Sequence, residues 1–188
     1  MNSLDENLDF IDQAEVPVMP TALRFGGIAA LLFIAQQLLV DTLGLVNYAT
    51  GDGQLISSIV PAIITFVVLY FAIKKHKEED LGGYITFGRC VKLGALIGVF
   101  SGLAIGLFSA VYHGFIRPDI MVDAMEYQKE QMLEMGQSEA QVEQAMEMSK
   151  AFTSPLALGI LSILSSIFWY ALFSLIVGAI MKKNQPMV

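Results

Sequence analysis

The chain has 188 residues, of which 55% are hydrophobic and only 15% are charged, and its mean hydropathy is +0.60. Soluble domains carry about 25% charged residues, so this deficit, together with several long apolar runs, predicts a polytopic membrane protein with one membrane domain. The net charge is −7, and no basic patch with interleaved aromatic residues is present, which argues against a nucleic-acid partner. The single cysteine, Cys90, excludes an intramolecular disulfide and a multi-cysteine metal site.

Residues 1–21 form an acidic tail, which we expect to be disordered and cytoplasmic. Its carboxylates have no basic partner nearby, and it lacks the positively charged beginning of a secretory signal. Pro17 and Pro20 disfavour a continuous helix there. An alternative is that a weak amphipathic patch of this tail contacts a partner or the membrane surface. That patch consists of Leu4, Leu8, Phe10 and Ile11.

Two predicted membrane spans follow, at about residues 22–46 and 55–73, and the short turn Gly51-Asp52-Gly53 makes them antiparallel. Pro61 lies inside the second span, where a membrane helix tolerates a kink. Asp41 lies close to the end of the first span. Because a carboxylate inside a span is a functional hypothesis by default, Asp41 is interpreted either as an interfacial or helix–helix polar contact or as a residue that lines a cavity.

The connector at residues 74–92 is the most basic part of the chain, and His76 within its lysine run is predicted to be a solvated side chain. The third span, at about residues 93–116, has a small residue at every fourth position and no charge before Arg117. Small residues at this spacing let a neighbouring helix approach closely in lipid, so they predict the packing face of a helical bundle. This glycine stripe consists of Gly94, Gly98, Gly102, Gly106, Ala110 and Gly114.

An amphipathic helical hairpin is predicted at about residues 118–153, between the third and fourth spans. Gly136 suits the end of its first helix, and Ser138 with Gln141 three residues later is a capping-box signature for the start of its second. Eight carboxylates make the hairpin acidic. Its methionines are interpreted as an adaptable apolar face in preference to a soft-metal site.

The fourth predicted span covers about residues 156–181 and repeats the four-residue spacing of small residues. Trp169 and Tyr170 fall in the middle of this span, which predicts that both pack inside the bundle. The small residues are interpreted as helix-packing positions, like those of the glycine stripe. They are Ser162, Ser166, Ser174 and Gly178.

The distribution of lysine and arginine predicts the orientation of the four spans. Residues 74–92 contain five of these residues, the connector between the first two spans contains none, and the C-terminal end carries Lys182 and Lys183. The rule therefore places both termini and the basic connector in the cytoplasm. The acidic hairpin is then extracytoplasmic, and the fold class is an all-α membrane protein with four transmembrane helices.

Short motifs occur in a characteristic order along the chain beyond the tail. They are G-Y-I-T-F-G at Gly83–Gly88, R-P-D at Arg117–Asp119, E-Q-M at Glu130–Met132, Q-A-M at Gln144–Met146, S-P at Ser154–Pro155 and a Lys-Lys ending. In this order they resemble a bacterial family, domain-of-unknown-function family 4199. The resemblance implies a small four-span protein of the bacterial inner membrane, and it carries over no catalytic residue, substrate or partner. The acidic tail before Ala22 departs from the family pattern.

The sequence contains no zinc-protease, Walker or nucleophile-elbow motif, and we expect no catalytic residue, no metal site and no cofactor. The two histidines are predicted to lie at opposite ends of the spans. Asp41, His113 and Arg117 are predicted to meet where the first and third spans end. This polar cluster is interpreted either as a hydrogen-bond network or as the mouth of a path for a substrate or ion.

Two functions are compatible with this pattern. The favoured one is a non-enzymatic scaffold or accessory protein of the membrane, because packing signals are abundant and charge inside the spans is scarce. The alternative is a small transporter or channel subunit that acts as an oligomer through the glycine stripe, and it rests on Asp41, the Pro61 kink and the stripe itself. The expected partners are the lipid bilayer and either further copies of this chain or another membrane protein. A membrane enzyme is the least favoured class.

Overall fold

The computed structural model of the chain describes residues 13–184, except for the side chain of residue 151. The predicted amphipathic patch of the tail therefore lies outside the described residues. Within residues 13–184 the fold consists of helices, with one isolated β-bridge. The helices are α1 (Met19–Thr42), α2 (Gln54–Lys75), α3 (Phe87–Val111), α4 (Pro118–Glu134), α5 (Glu139–Phe152) and α6 (Pro155–Met181).

Four helices, α1, α2, α3 and α6, are long and apolar enough to cross a membrane. Single π-helical turns extend α2 to Asp80 and α3 to Ile116. With these turns counted, the shortest of the four spans is α1 with 24 residues, which at 1.5 Å per residue is about 36 Å and exceeds the roughly 30 Å of a hydrocarbon core. The predicted all-α fold, with four candidate spans and two helices between the third and fourth, is confirmed.

The core lies between the four long helices and is made of aliphatic side chains. Leu69 and Ile73 of α2 and Leu93 and Ile97 of α3 are fully buried. The most extensive helix pair is α3 with α6, followed by α1 with α3, whereas α2 packs more lightly on its neighbours. Many large apolar side chains of the four helices face outwards, which is expected when the surroundings are lipid and not water.

The loop between α1 and α2 requires glycine at Gly53. Its φ is +76°, and an added Cβ would lie 2.1 Å from the carbonyl oxygen of Leu45. Helix α4 lies over this loop, because the Tyr127 hydroxyl comes so close to Gly51 that a Cβ there would be 2.5 Å away. We call this end of the bundle, which carries α4 and α5, the hairpin end.

The second helix of the hairpin begins as predicted. The Ser138 hydroxyl accepts from the backbone N–H of Gln141, and the Gln141 side chain accepts from the backbone N–H of Ser138 at 3.0 Å. Gly136 follows α4 with a φ of +82°, a conformation that glycine adopts without a steric cost. The predicted capping box is therefore confirmed.

At the opposite end of the bundle, which we call the connector end, the chain before α3 pairs with the chain after α6. Ile85 and Lys183 form an antiparallel bridge in which each backbone N–H donates to the other residue's carbonyl oxygen at 2.9 Å. The Lys77 ammonium group donates to the Met181 carbonyl oxygen at 3.0 Å. Both contacts hold the last turn of α6 against the connector.

Candidate functional site

The glycine stripe of α3 is covered by α6 of the same chain. An added Cβ at Gly98 would lie 2.9 Å from the Cα of Ile167, and one at Gly106 would lie 2.6 Å from the carbonyl oxygen of Gly159. A Cβ at Gly102 would lie 3.0 Å from the Cβ of Ser166. The stripe is therefore occupied inside the bundle and offers no surface to a second copy of the chain, which corrects the expectation that an oligomer forms through it.

The other predicted packing residues take part to different degrees. An added Cβ at Gly94 would lie 2.4 Å from the Cβ of Ser174, and one at Gly178 would lie 2.8 Å from the Cβ of Cys90. Gly114 packs against the ring of Pro155. Ser162 instead donates to the carbonyl oxygen of Leu158 in its own helix. Cys90 is fully buried. The predicted packing residues other than Gly98, Gly102, Gly106 and Ser166 are thus Gly94, Gly114, Ser162, Ser174 and Gly178.

Sequence reasoning missed Gly159, which packs directly on Gly106. It lies three residues before Ser162 and so falls outside a strict four-residue repeat. A glycine in an otherwise apolar span was itself the available signal, because such a residue marks close backbone approach in membrane helices.

A crevice with a volume of about 520 Å³ opens between α2 and α6 towards the hairpin end. We call it the α2–α6 crevice. Its rings come from Phe33, Trp169 and Phe173, and the described lining contains no charged side chain. Its hydroxyl groups belong to Ser57, Ser58, Thr65, Ser162, Ser165 and Ser166, together with Tyr170.

Trp169 and Tyr170 point to different surroundings, although the sequence predicted both inside the bundle. Tyr170 is only 1% exposed, whereas Trp169 is 49% exposed at the edge of the crevice. The prediction is correct for Tyr170 and wrong for Trp169. Consecutive residues of an α-helix point about 100° apart, and here Tyr170 faces the core while Trp169 faces the outside of the bundle.

The Tyr170 hydroxyl is buried without a hydrogen-bond partner. The hydroxyls of Thr65 and Ser101 are polar neighbours of the Tyr170 hydroxyl, and Ser101 is itself bonded to Ser166 across the α3–α6 seam at 3.0 Å. Each unpartnered buried polar group costs about 1–3 kcal/mol, so a functional explanation is called for at this position.

A smaller cavity of about 120 Å³ adjoins the crevice at the hairpin end. Phe33, Ser57 and Pro61 line both spaces. The smaller cavity also contains two buried atoms without a hydrogen-bond partner, the side-chain oxygen of Gln36 and the Nδ1 atom of His113. The two spaces share part of their lining and together extend from the hairpin end towards the middle of the bundle.

In the predicted cluster, the Asp41 carboxylate is close enough to act electrostatically on both His113 and Arg117, but the hydrogen bonds of Asp41 and Arg117 go to other residues. Asp41 accepts from Gln37 and from the hydroxyl of Tyr48, both at 2.9 Å. Arg117 pairs with the carboxylate of Asp119 at 2.6 Å. Among the described residues, Asp41, His113 and Arg117 form no hydrogen bond with one another.

Three groups outside the spans, Tyr48, Asp119 and Arg117, have shifted pKa values. Burial is the main reason why the pKa of Tyr48 is raised, and its bond to the Asp41 carboxylate acts in the same direction. Hydrogen bonds from Arg117 lower the pKa of Asp119 and correspondingly raise the pKa of Arg117. Each shift favours the charge state that the observed hydrogen bonds require.

His76 is completely buried, so its prediction as a solvated side chain is wrong. Its Nδ1 atom lies 2.7 Å from the Asp80 carboxylate, and Arg89 donates to its Nε2 atom at 3.0 Å. Because Arg89 can only donate, Nδ1 carries the proton and donates to Asp80. Thr21 of α1 also donates to Asp80, at 3.0 Å. We call these four residues the His76 cluster.

The His76 cluster also holds the segment before α1. The Arg89 guanidinium donates to the carbonyl oxygens of Gln13 and Val16, and the side-chain oxygen of Gln13 accepts from the backbone N–H of Thr86 at 3.2 Å. The described part of the predicted tail that precedes α1, residues 13–18, is thus fastened to the connector end.

The comparison with known families gives one result. The model of the family described as "Protein of unknown function (DUF4199)" matches residues 22–183. The chain belongs to this family. The resemblance found in the sequence motifs is thereby confirmed, and the DUF4199 match covers all four spans and the hairpin while leaving out the acidic tail. Neither the curated proteins nor the solved structures gave a match.

Among residues 13–184 of this DUF4199 protein, no group of three or more histidine, cysteine or carboxylate side chains is placed to hold a metal ion. The three features with potential function are therefore the crevice with its adjoining cavity, the His76 cluster and the surface of the hairpin.

Proposed function

We propose that this DUF4199 protein is a non-enzymatic scaffold or accessory protein of the bacterial inner membrane, and that its α4–α5 hairpin binds another protein. The observation that carries the proposal is the surface of the hairpin. Ile120 and Val142 are buried, while Met135 at the tip is 69% exposed and both Met148 and Phe152 are exposed as well. Met148 and Phe152 are four residues apart in α5 and so lie on one face of that helix, and an exposed apolar patch of neighbouring side chains favours a binding role.

The charge of the hairpin favours a partner with a basic surface. Residues 118–153 carry eight carboxylates and two lysines. Asp119 is paired with Arg117, and no other hairpin carboxylate forms an ion pair within the described part of the chain. Charge complementarity of this kind steers encounter and selects among partners more than it adds affinity.

The proposal includes an orientation in which both termini face the cytoplasm and the hairpin faces the opposite side. The four candidate spans support it, because an even number of crossings returns the chain to the side on which it began. The basic residues gather at the connector end, around Lys74, Lys77 and Lys183, which is the cytoplasmic end under the positive-inside rule.

The orientation is tested by labelling introduced cysteines with a membrane-impermeant maleimide in intact cells. In a Cys90→Ala background, Met135→Cys reports the hairpin end and Glu79→Cys reports the connector end. We expect the first variant to be labelled in intact cells and the second only after permeabilisation. The reverse pattern would overturn the orientation without affecting the fold.

Partner binding is tested with a photo-reactive amino acid placed at Met148 on the hairpin, with Glu78 at the connector end as the matched exposed position. In native membranes, we expect irradiation to produce a discrete protein adduct at Met148 and none at Glu78. The double change Glu143→Lys and Glu147→Lys should weaken that adduct, because it reverses the local charge. An adduct that ignores the charge reversal, or that forms equally at both positions, would contradict the proposal.

The second candidate function is a small transporter or channel subunit that acts as an oligomer. The α2–α6 crevice and its adjoining cavity favour it, because they reach from the hairpin end towards the middle of the bundle. Flux of potassium and of glycerol into liposomes is the test, with Asp41→Asn as the variant and the exposed Asp52→Asn as its control. Flux that only Asp41→Asn reduces would support transport, whereas absent or equal flux would remove this candidate.

A further inference from the structure

The α2–α6 crevice opens sideways, towards the lipid. Ser57 and Ser58 of α2 and Ser165 and Trp169 of α6 line it and are exposed on the outside of the bundle. All four lie within candidate membrane spans. A molecule dissolved in the bilayer therefore reaches the crevice between α2 and α6 without passing through water.

The deep end of the crevice lies near the middle of the membrane. Thr65 is about 16 Å along α2 from Gln54, calculated from the rise of 1.5 Å per residue, and the hydrocarbon core is about 30 Å thick. Tyr170 lines the crevice and places its buried, unpartnered hydroxyl among these residues. A hydroxyl at this depth has a proton to donate, and the nearest alternatives to a ligand are the few hydroxyls of the crevice lining and not bulk water.

The lining restricts the chemistry of an occupant. Without a charged side chain in the described lining, the crevice offers no counter-ion, so an ionised ligand would be strongly disfavoured there. The rings of Phe33, Trp169 and Phe173 provide flat apolar surfaces, which prefer offset-stacked or edge-on contact with another ring. The volume of about 520 Å³ falls in the range of ordinary small-molecule sites.

A phospholipid acyl chain satisfies only part of this description. It would fill the apolar part of the crevice, but it has no polar atom at mid-membrane depth to accept the proton of Tyr170. A neutral ring that carries carbonyl oxygens satisfies both the aromatic lining and the phenolic donor.

We propose that the α2–α6 crevice binds a neutral, lipid-soluble ring compound of the quinone class, which enters from the bilayer between α2 and α6 and accepts a hydrogen bond from Tyr170. The ring lies among Phe33, Trp169 and Phe173, and an apolar tail extends through the lateral opening into the lipid. This binding site is independent of the partner-binding role of the hairpin.

The protein contains its own reporter for this site, because Trp169 is the only tryptophan and lies at the crevice. The full chain is placed in nanodiscs of saturated phosphatidylcholine and titrated with decylubiquinone while tryptophan fluorescence is followed. We expect saturable quenching. Linear quenching without saturation would mean that the quinone only dissolves in the lipid, and it would overturn the proposal.

Two variants and one matched control examine the contacts. Tyr170→Phe keeps the ring and removes the donor, so binding should weaken about two- to tenfold, as for the loss of one hydrogen bond. Tyr70→Phe removes a phenolic hydroxyl from α2 away from the crevice and should leave binding unchanged. Ala62→Phe places a ring inside the crevice and should abolish saturable quenching. Unchanged affinity in both Tyr170→Phe and Ala62→Phe would overturn the assignment.

Competition distinguishes the quinone from a general apolar occupant. Decylbenzene has the ring and the tail but no oxygen acceptor, so we expect it to displace decylubiquinone much more weakly than a second quinone does. Displacement by decylbenzene at the same concentration as by a quinone would show that the crevice selects only for apolar shape, and the hydrogen bond from Tyr170 would have no part in recognition.

Discussion

Replacing Gly98 by alanine should push α6 away from α3 along their shared seam. The added methyl group would lie 2.9 Å from the Cα of Ile167 and 3.0 Å from the carbonyl oxygen of Ser166. Both contacts are with backbone atoms, so no side-chain rotation relieves them. Because ordinary contact begins at 3.4 Å, α6 must retreat by about half an ångström, a gap that forfeits about a quarter of the dispersion energy of each contacting pair.

Overpacking of this kind typically costs about 1–3 kcal/mol of stability. For a chain of this length, each kcal/mol lowers Tm by about 2–4 °C, so we expect Tm of Gly98→Ala to fall by about 2–12 °C. The matched control is Gly27→Ala in α1, where an added Cβ meets nothing within 4 Å. There, alanine should leave Tm unchanged or raise it slightly, because alanine favours helix more than glycine does.

The assay is thermal unfolding in detergent, followed by the reaction of a fluorogenic maleimide with Cys90. This is the only thiol in the chain, and it is fully buried in the fold, so it reacts only after the seam opens. If Gly98→Ala and Gly27→Ala unfold at the same temperature, close approach of α3 and α6 is not what glycine provides at this position, and the reasoning about the whole stripe fails.

Two further predictions concern the ends of the bundle. Arg89→Gln removes donors from the buried His76 and from the segment at residues 13–18, so amide hydrogen exchange in that segment should accelerate, while the exposed Arg24→Gln should leave it unchanged. Ser138→Ala removes the capping box, which is worth about 1 kcal/mol, so exchange in the first turn of α5 should increase about fivefold, with Ser149→Ala as the control. Equal exchange in variant and control would contradict the corresponding contact.

The four spans and the hairpin were predictable because their signals are local. Long apolar runs identify spans, since a chain in lipid must satisfy its backbone groups within each helix. The Ser138 and Gln141 pair marks a helix start through contacts that are only three residues apart. The end of α1 was placed too late, at residue 46, because the apolar residues after Thr42 continue the hydropathy signal while Gly44 turns the chain with a φ of +60°.

The burial of His76 was not predictable in the same way. In the sequence its neighbours are lysines and acids, which are typical of a solvated connector. In the fold, Thr21 and Arg89 reach it from α1 and α3, and these contacts span 55 and 13 residues of sequence. Local composition carries no information about such partners, so a histidine at a predicted helix end remains ambiguous without the tertiary arrangement.

The α2–α6 crevice was not predictable from the sequence. It exists because α2 packs lightly against the rest of the bundle, and the sequence of one helix does not show how closely its neighbours approach it. The serines that line it fit the four-residue repeat of α6 equally well as packing residues, which is how Ser162 and Ser166 were interpreted. In the structure Ser166 has both roles, because it lines the crevice and also bonds across the seam to Ser101, whereas Ser162 lines the crevice and bonds within its own helix.

The bridge between Ile85 and Lys183 restricts the number of residues that α6 can contain. It joins the entrance of the third long helix to the exit of the last one through two backbone hydrogen bonds. One extra residue inside α6 would turn everything after it by about 100° and advance it by about 1.5 Å, so Lys183 could no longer meet Ile85. The length of α6 is thus constrained by its contact with the segment before α3, and not only by the thickness of the bilayer.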